Sequence, residues 1–285
     1  MSRPIGFEQG KFGVRAVLTG AWSDSFVPIL KEKGIVELEL NDGKGWQGDN
    51  IKFVTHFPEL KAFEIIDLSI KSIEPIHSLE RLHKLEVITY CKTKLHFTKF
   101  PFLQESSLEW RNGAESIFDV VGLKQLFVNH YRGQNLRSFS RLVNLTSLSI
   151  LGAPVTTLAG IESLTKLQNL RLGDLRRLQS LSGVEKLTAL EKLDVNTCRK
   201  IGRINEVASL SNLREFFLVN DGQIASLKPI DSISSLQSVI FFESTNIVDG
   251  DLSPLTRQEH LSRVAFKNRR HYSHRCEDFW QYFAL

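Results

Sequence analysis

Cysteine is scarce in this chain: Cys91, Cys198 and Cys276 are scattered over 285 residues. An odd, widely spaced set excludes a disulfide framework, and a reducing, cytoplasmic compartment is the expected setting. Long apolar runs are missing too. No stretch approaches the roughly 18 apolar residues of a membrane-spanning helix. The first 22 residues, broken by Glu8, Lys11 and Arg15, lack the continuous apolar stretch of a secretory leader. A bias of charge is also absent: Lys+Arg number 36 against Asp+Glu 32, a net charge of +4. That balance gives no reason to expect nucleic acid, which needs basic residues gathered on one face.

Signatures of chemistry are equally sparse. The glycine-rich stretch Asp42–Asp49 lacks the spacing of a phosphate-binding loop and reads as a surface loop. His271, His274 and Cys276 offer three possible metal ligands within six residues. A structural zinc wants four, so this segment reads as a polar cap. His130, Tyr131 and Arg132 cluster at a strand exit without a nucleophile motif. No catalytic residue, metal or cofactor is expected.

What is present is a repeat. From Val155 the apolar positions run Leu158, Ile161, Leu164, Leu167, Leu170, Leu172, and then Leu175, Leu178, Leu181, Val184, Leu187, Leu190, Leu193, Val195. Each run steps by three and closes with a step of two. A step of two is the alternation of a strand, and a step of three is that of turns and 3₁₀ segments. One coil is therefore a short strand followed by an irregular or 3₁₀ return, and its apolar set is buried only if coils stack. Length alone would suggest one or two domains, but a stacked array escapes that limit.

Strand pairs read as Leu38/Leu40, Phe63/Ile65, Ile88/Tyr90, Leu108/Trp110, Leu126/Val128, Leu148/Ile150, Leu170/Leu172, Leu193/Val195, Phe216/Leu218, Val239/Phe241 and Val264/Phe266. Spacings from Leu126 onward are 22, 22, 23, 23, 23 and 25, and the earlier ones, 25, 25, 20 and 18, are irregular. About eleven coils over 35–266 follow, with a cap at 1–34 and another at 267–285. The first cap includes a short helix over Asp24–Lys33, closed by Gly34. The second holds Phe279, Trp280, Phe283 and Leu285 at approximately the spacing of a final helix.

The segment Gly160-Ile-Glu-Ser-Leu-Thr-Lys-Leu-Gln-Asn-Leu-Arg-Leu172 resembles the short repeat of internalin-type leucine-rich-repeat proteins and of similar phosphatase regulatory subunits. The resemblance spans roughly Ile51 to Phe266. It implies an α/β solenoid of right-handed coils, with a parallel sheet on the concave face and 3₁₀ or irregular segments on the convex face. It says nothing about the partner. Such repeats carry Asn three residues after the second strand aliphatic. Here that place holds Ala153, Leu175, Cys198, Asp221 and Ser244, of which only the last two can substitute, while Cys198 reads as a buried filler.

Residues flanking the core pairs should form an exposed ribbon. Its early part, with Glu37, Glu39, Ala62, Glu64, Val87 and Phe127, contrasts with a later part carrying Arg171, Lys192, Arg263 and Lys267. Phe217, Val219, Ile240 and Phe242 fall on adjacent strands as one apolar patch. Phe127, Arg171, Asp194, Phe217, Val219, Ile240, Phe242 and Arg263 are thus the candidate contacts of a protein partner. Two readings stay open: the patch docks that partner, or the C-terminal cap covers it through Trp280 or Phe283. A chain that is monomeric alone and serves as an adaptor or a toxin-neutralising immunity protein fits this pattern. A regulatory subunit of an enzyme is the alternative.

Overall fold

The computed structural model describes residues 4–282, the last three by backbone alone. The chain forms two compact units, Met1–Val128 and Asn129–Leu285. Among the described residues no helix is long and apolar enough to cross a membrane.

The first unit opens on an antiparallel hairpin of β1 (Ile5–Gln9) and β2 (Val14–Leu18), which sequence reasoning did not anticipate. Helix α1 (Phe26–Glu32) follows, and Gly34 takes φ +60°, a left-handed conformation that ends a helix at little cost for glycine. Strand β2 pairs in parallel with β3 (Glu37–Asn41), which pairs with β4 (Ala62–Ile66). Then come β5 (Lys84–Ile88), β6 (Glu105–Glu109) and β7 (Gln125–Asn129). Coil returns are 3₁₀ segments, such as Glu74–Ser78 and Ala114–Asp119.

The three-residue step has a direct backbone cause. Ile76, Leu79 and Leu82 donate their N–H groups to the carbonyls of Ile73, Ile76 and Leu79 at 3.0, 2.9 and 3.3 Å. All four side chains are fully buried. Bonds from i+3 back to i eclipse every third side chain, so one apolar residue per rung fills the coil.

The register differs from the sequence reading in two coils. Leu85 and Val87 are the buried pair of β5, and they face Ser106 and Leu108 of β6. The pairs Ile88/Tyr90 and Leu108/Trp110 are therefore each displaced, and Tyr90 is 63% exposed. Val87, placed on the ribbon by the sequence, is core. For β6 the physical reason is Ser106, a polar residue at an aliphatic rung, whose hydroxyl donates to the Leu85 carbonyl at 3.1 Å and so tolerates burial. A hydrophobic pattern skips such a residue and slides to the next apolar pair.

In the second unit, β8 (Ser147–Leu151), β9 (Asn169–Gly173), β10 (Lys192–Asn196), β11 (Glu215–Val219), β13 (Ser238–Phe242) and β15 (Arg263–Phe266) run parallel. A two-stranded sheet of β12 (Gln223–Ile224) and β14 (Asn246–Ile247) lies apart from them in the sheet order. Leu170 is in register with Leu193, and Leu193 with Phe216. All three are buried, and stacking of this kind stabilises by about 1.5–3 kcal/mol per large side chain. A one-turn helix, α2 (Ser253–Thr256), precedes β15.

Strands β7, β8, β9, β10, β11 and β13 each exit through one left-handed residue: His130, Gly152, Asp174, Thr197, Asn220 and Glu243, with φ between 52° and 61°. The backbone N–H groups of His130 to Asn220 in this series donate to the next coil's carbonyls, as in Thr197 to Val219 at 2.8 Å. This continues the ladder past the strand.

Below it lies the position that the resemblance assigns to Asn. Cys198 is buried and its N–H donates to Asp221 Oδ1 at 2.7 Å. The Asp221 N–H donates to Thr245 Oγ1 at 3.0 Å, and that hydroxyl to the Leu218 carbonyl at 2.9 Å. The ladder group of that coil is thus Thr245, not Ser244, which is exposed and donates to Asn220 Oδ1. One extra residue in the turn shifts the position.

The last described element is a 3₁₀ segment, Cys276–Tyr282, where spacing suggested a helix. Phe279 is buried. Phe283, Leu285 and the side chain of Trp280 lie outside the described residues.

Candidate functional site

The sheet faces of the two units differ. In the first unit the expected acidic ribbon is covered. Glu37, Glu39 and Glu64 are 3, 4 and 8% exposed, and Ala62 is buried with them. The turn between β1 and β2 lies across the face. The Phe12 N–H donates to Glu37 Oε1, Lys11 pairs with Glu105, and the Phe12 ring stacks on His83 at 5.5 Å. Arg15 bridges Glu39, at 3.1 Å, and Glu64. A Cβ at Gly10 would meet the Glu37 carboxylate, which would have to shift to admit it.

Like charges stand opposite one another here. Glu39 faces Glu64 and Glu64 faces Glu86 in register, an arrangement that destabilises a sheet unless cations intervene. Arg15, Lys44 on Glu39 at 2.7 Å and Lys84 on Glu64 at 2.5 Å supply them. Burial, followed by the neighbouring Glu64, pushes the Glu86 carboxyl upward.

In the second unit the described residues leave the face partly exposed. Strand alternation directs the first, third and fifth residues of each strand to one side. Phe217 is in register with Ile240, and Ile240 with Ala265. Val219 is in register with Phe242. Phe242 is 42% exposed, and Phe217, Val219 and Ile240 are half-buried. Seven candidate contacts therefore share this face: Arg171, Asp194, Phe217, Val219, Ile240, Phe242 and Arg263. Phe127 is half-buried on β7, in the first unit.

Charges frame the patch. Arg171 Nε lies 3.3 Å from Asp194 Oδ2, and Lys192 Nζ 2.6 Å from Glu215 Oε2. Burial raises the pKa of Asp194 against the opposing pull of Arg171 and Lys192. Lys192 also holds its ammonium 4.8 Å from the Phe217 ring centroid, a cation–π contact that fixes the ring. At the strand exits, Thr197, Asn220 and Ser244 form a chain of hydroxyl and amide bonds at 3.2 and 2.7 Å. Lys192 was legible as ribbon but not as a partner of Phe217. The exit chain carried no signal, because its left-handed geometry has no sequence mark when Thr and Glu adopt it.

The other sequence candidates have structural partners. His271 Nε2 is 2.9 Å from the Ile247 carbonyl, and His274 Nδ1 is 2.9 Å from Ser273 Oγ. Trp46, in the glycine-rich stretch, is buried and donates to Asp67 Oδ2 at 3.0 Å. No group of three or more His, Cys, Asp or Glu able to hold a metal occurs among the described residues.

Comparison with known proteins separates fold from identity. No protein-family profile matches the chain, and no curated protein does. Solved structures do match. Internalin C2 from Listeria monocytogenes aligns with a TM-score of 0.52 and 22% identity, over 65% of this chain and 82% of that one. The internalin InlF of the same organism gives 0.57 and 17%, over 90% and 87%. This is the leucine-rich-repeat fold. The Arabidopsis receptor kinase HAESA, solved with the peptide hormone IDA and the co-receptor SERK1, also aligns, with a TM-score of 0.57 and 17% identity over 78% of this chain and 44% of that one. Identities this low establish the leucine-rich-repeat architecture alone.

Proposed function

We propose that this chain is a non-catalytic module that binds another protein through the sheet face of its second unit. The observation that carries the reading is the contiguous patch of Phe217, Val219, Ile240 and Phe242, on two paired strands and unoccupied among the described residues. Apolar surface with a polar rim is the composition of interface cores. The receptor kinase with the same fold is itself bound to a peptide and a co-receptor. An adaptor or a toxin-neutralising immunity protein would need no more than such a face, and regulation of an enzyme by covering its surface is the second reading. The free cysteines suit a cytoplasmic setting, and the carboxylates of Asp194 and Glu215 on this face suit a phosphate backbone poorly.

The test is the double variant Phe217→Glu, Phe242→Glu, compared with the unaltered chain in affinity capture from the native lysate followed by mass spectrometry. The expected outcome is loss of the captured protein with circular dichroism and thermal unfolding unchanged. Unfolding of the variant would show that these rings are core, and an unchanged capture would show that the face is idle. Co-expression of the captured protein, scored by survival of the host, then separates neutralisation from adaptor work.

A further inference from the structure

The partly exposed face is not electrically neutral, and its imbalance is local. Asp194 and Glu215 are matched by Arg171 and Lys192. At the other side of the patch Arg263 and Lys267 are exposed, and neither has a carboxylate partner among the described residues. Arg269 beyond them donates to main-chain carbonyls, with the Thr245 oxygen at 3.0 Å, and so adds a third cation unmatched by an acid.

Between these two groups sits Ser238. It is 7% exposed, and its hydroxyl has no hydrogen-bond partner. In register it stands between Glu215 and Arg263. A buried hydroxyl normally finds a partner, and leaving one unmade carries the desolvation penalty of the group. Glu215 is turned to Lys192, so it supplies no acceptor to Ser238 or to Arg263, the residue in register with Ser238 on the next strand.

The first unit shows what satisfies such a face. Its glutamates are met by Lys11 and Arg15 on either side of an aromatic ring, Phe12. In the second unit the surplus has the opposite sign, so its complement is acidic.

Resting on the docking reading above, we infer that the second unit's face takes an acidic, apolar-anchored peptide segment of a protein. One aliphatic or aromatic side chain lies over Phe217, Ile240 and Phe242. An Asp or Glu carboxylate is received between the Ser238 hydroxyl and the Arg263 guanidinium. Strands β11 and β13 are interior and offer no free backbone edge, so the contacts on them run through side chains and specificity follows charge.

A phage-displayed library of random linear peptides, panned on the full chain, tests this. Enriched peptides should carry Asp or Glu beside an apolar residue. Synthetic copies followed by fluorescence polarisation should weaken roughly tenfold on Arg263→Ala, less on Ser238→Ala, and progressively with added salt. Melting of Arg263→Ala should stay at the parent value, and that of Ser238→Ala should stay there or rise, because the substitution removes an unpartnered buried hydroxyl. Peptides that lose binding on the Phe217→Glu, Phe242→Glu variant, yet lack an acid or ignore Arg263→Ala, would overturn the carboxylate seat while leaving the docking reading intact. Dependence on the peptide's terminal carboxylate, seen as loss on amidation, would overturn the side-chain source. No enrichment, or peptides indifferent to the aromatic pair, would overturn both inferences.

Discussion

The two units carry the same coil and use its sheet face differently. In the first, a charged face is closed by the chain's own hairpin turn, and the glutamates serve stability. In the second, aromatic and aliphatic side chains on β11 and β13 stay half-exposed beside matched and unmatched charges. The lesson concerns what a flat parallel sheet requires. The apolar rungs beneath it fix the fold in either case, so the upper face is free to be spent on intramolecular closure or left for a partner. The test of this contrast is whether equivalent substitutions cost folding in one unit and nothing in the other.

Arg15→Met should have the largest effect. It leaves Glu39 and Glu64 buried and opposed without their shared cation. Breaking a buried pair from one side costs about 3–5 kcal/mol, and since Arg15 keeps some solvent contact about 3 kcal/mol is expected. Urea unfolding at pH 7 checks it. A second substitution, Glu64→Gln, should restore part of the loss by removing the opposed charge. A loss below about 1 kcal/mol would place the hairpin turn in the class of ordinary surface ion pairs.

Asp221→Asn should act in the opposite direction and only at higher pH. Burial pushes the Asp221 carboxyl to about 7, although the Cys198 N–H bond pulls it down. The sign follows from linkage. The folded carboxyl holds its proton above the unfolded value of 3.8. From pH 4 to pH 7 the unfolded chain releases that proton first, so the protein loses stability as pH rises, and the loss is complete above pH 7. Asparagine keeps the acceptor for Cys198 and cannot ionise. Its amide takes the place of Oδ2, which lacks a partner, so part of the gain is returned. At pH 8 the variant should be about 2 kcal/mol more stable than the parent in thermal or urea unfolding, an advantage that fades as pH falls toward 4. A pH-independent difference would show that Asp221 is ionised in the fold.

Much of this was legible in the sequence. Triplet spacing predicts the coil because 3₁₀ bonds eclipse every third side chain, and the rungs from Leu126 onward fall where the pattern puts them. The ribbon of the second unit was legible for the same reason. Three things were not. Ser106 hid a rung, because a serine satisfied by the Leu85 carbonyl is invisible to a hydrophobic pattern. The buried state of Glu37, Glu39 and Glu64 depends on a hairpin folding back by long-range pairing, which composition does not encode. The empty hydroxyl of Ser238 depends on which neighbour Glu215 faces, a matter of rotamer rather than of spacing.

The smallest expected effects are the most discriminating for the contrast between faces. Arg171→Ala removes half of a pair whose arginine side chain is 49% exposed, and Lys192→Ala removes a pair with both partners about two-fifths exposed. Exposed pairs contribute about 0.2–1 kcal/mol and are screened by salt. Each substitution should therefore shift the urea midpoint by less than the error of most binding measurements, with Lys192→Ala slightly the larger because it also frees the Phe217 ring. Arg15→Met and Lys192→Ala change the same kind of contact on the same kind of strand. If Lys192→Ala cost as much as Arg15→Met, the second face would be closed as firmly as the first, and its aromatic residues would have to be counted as core.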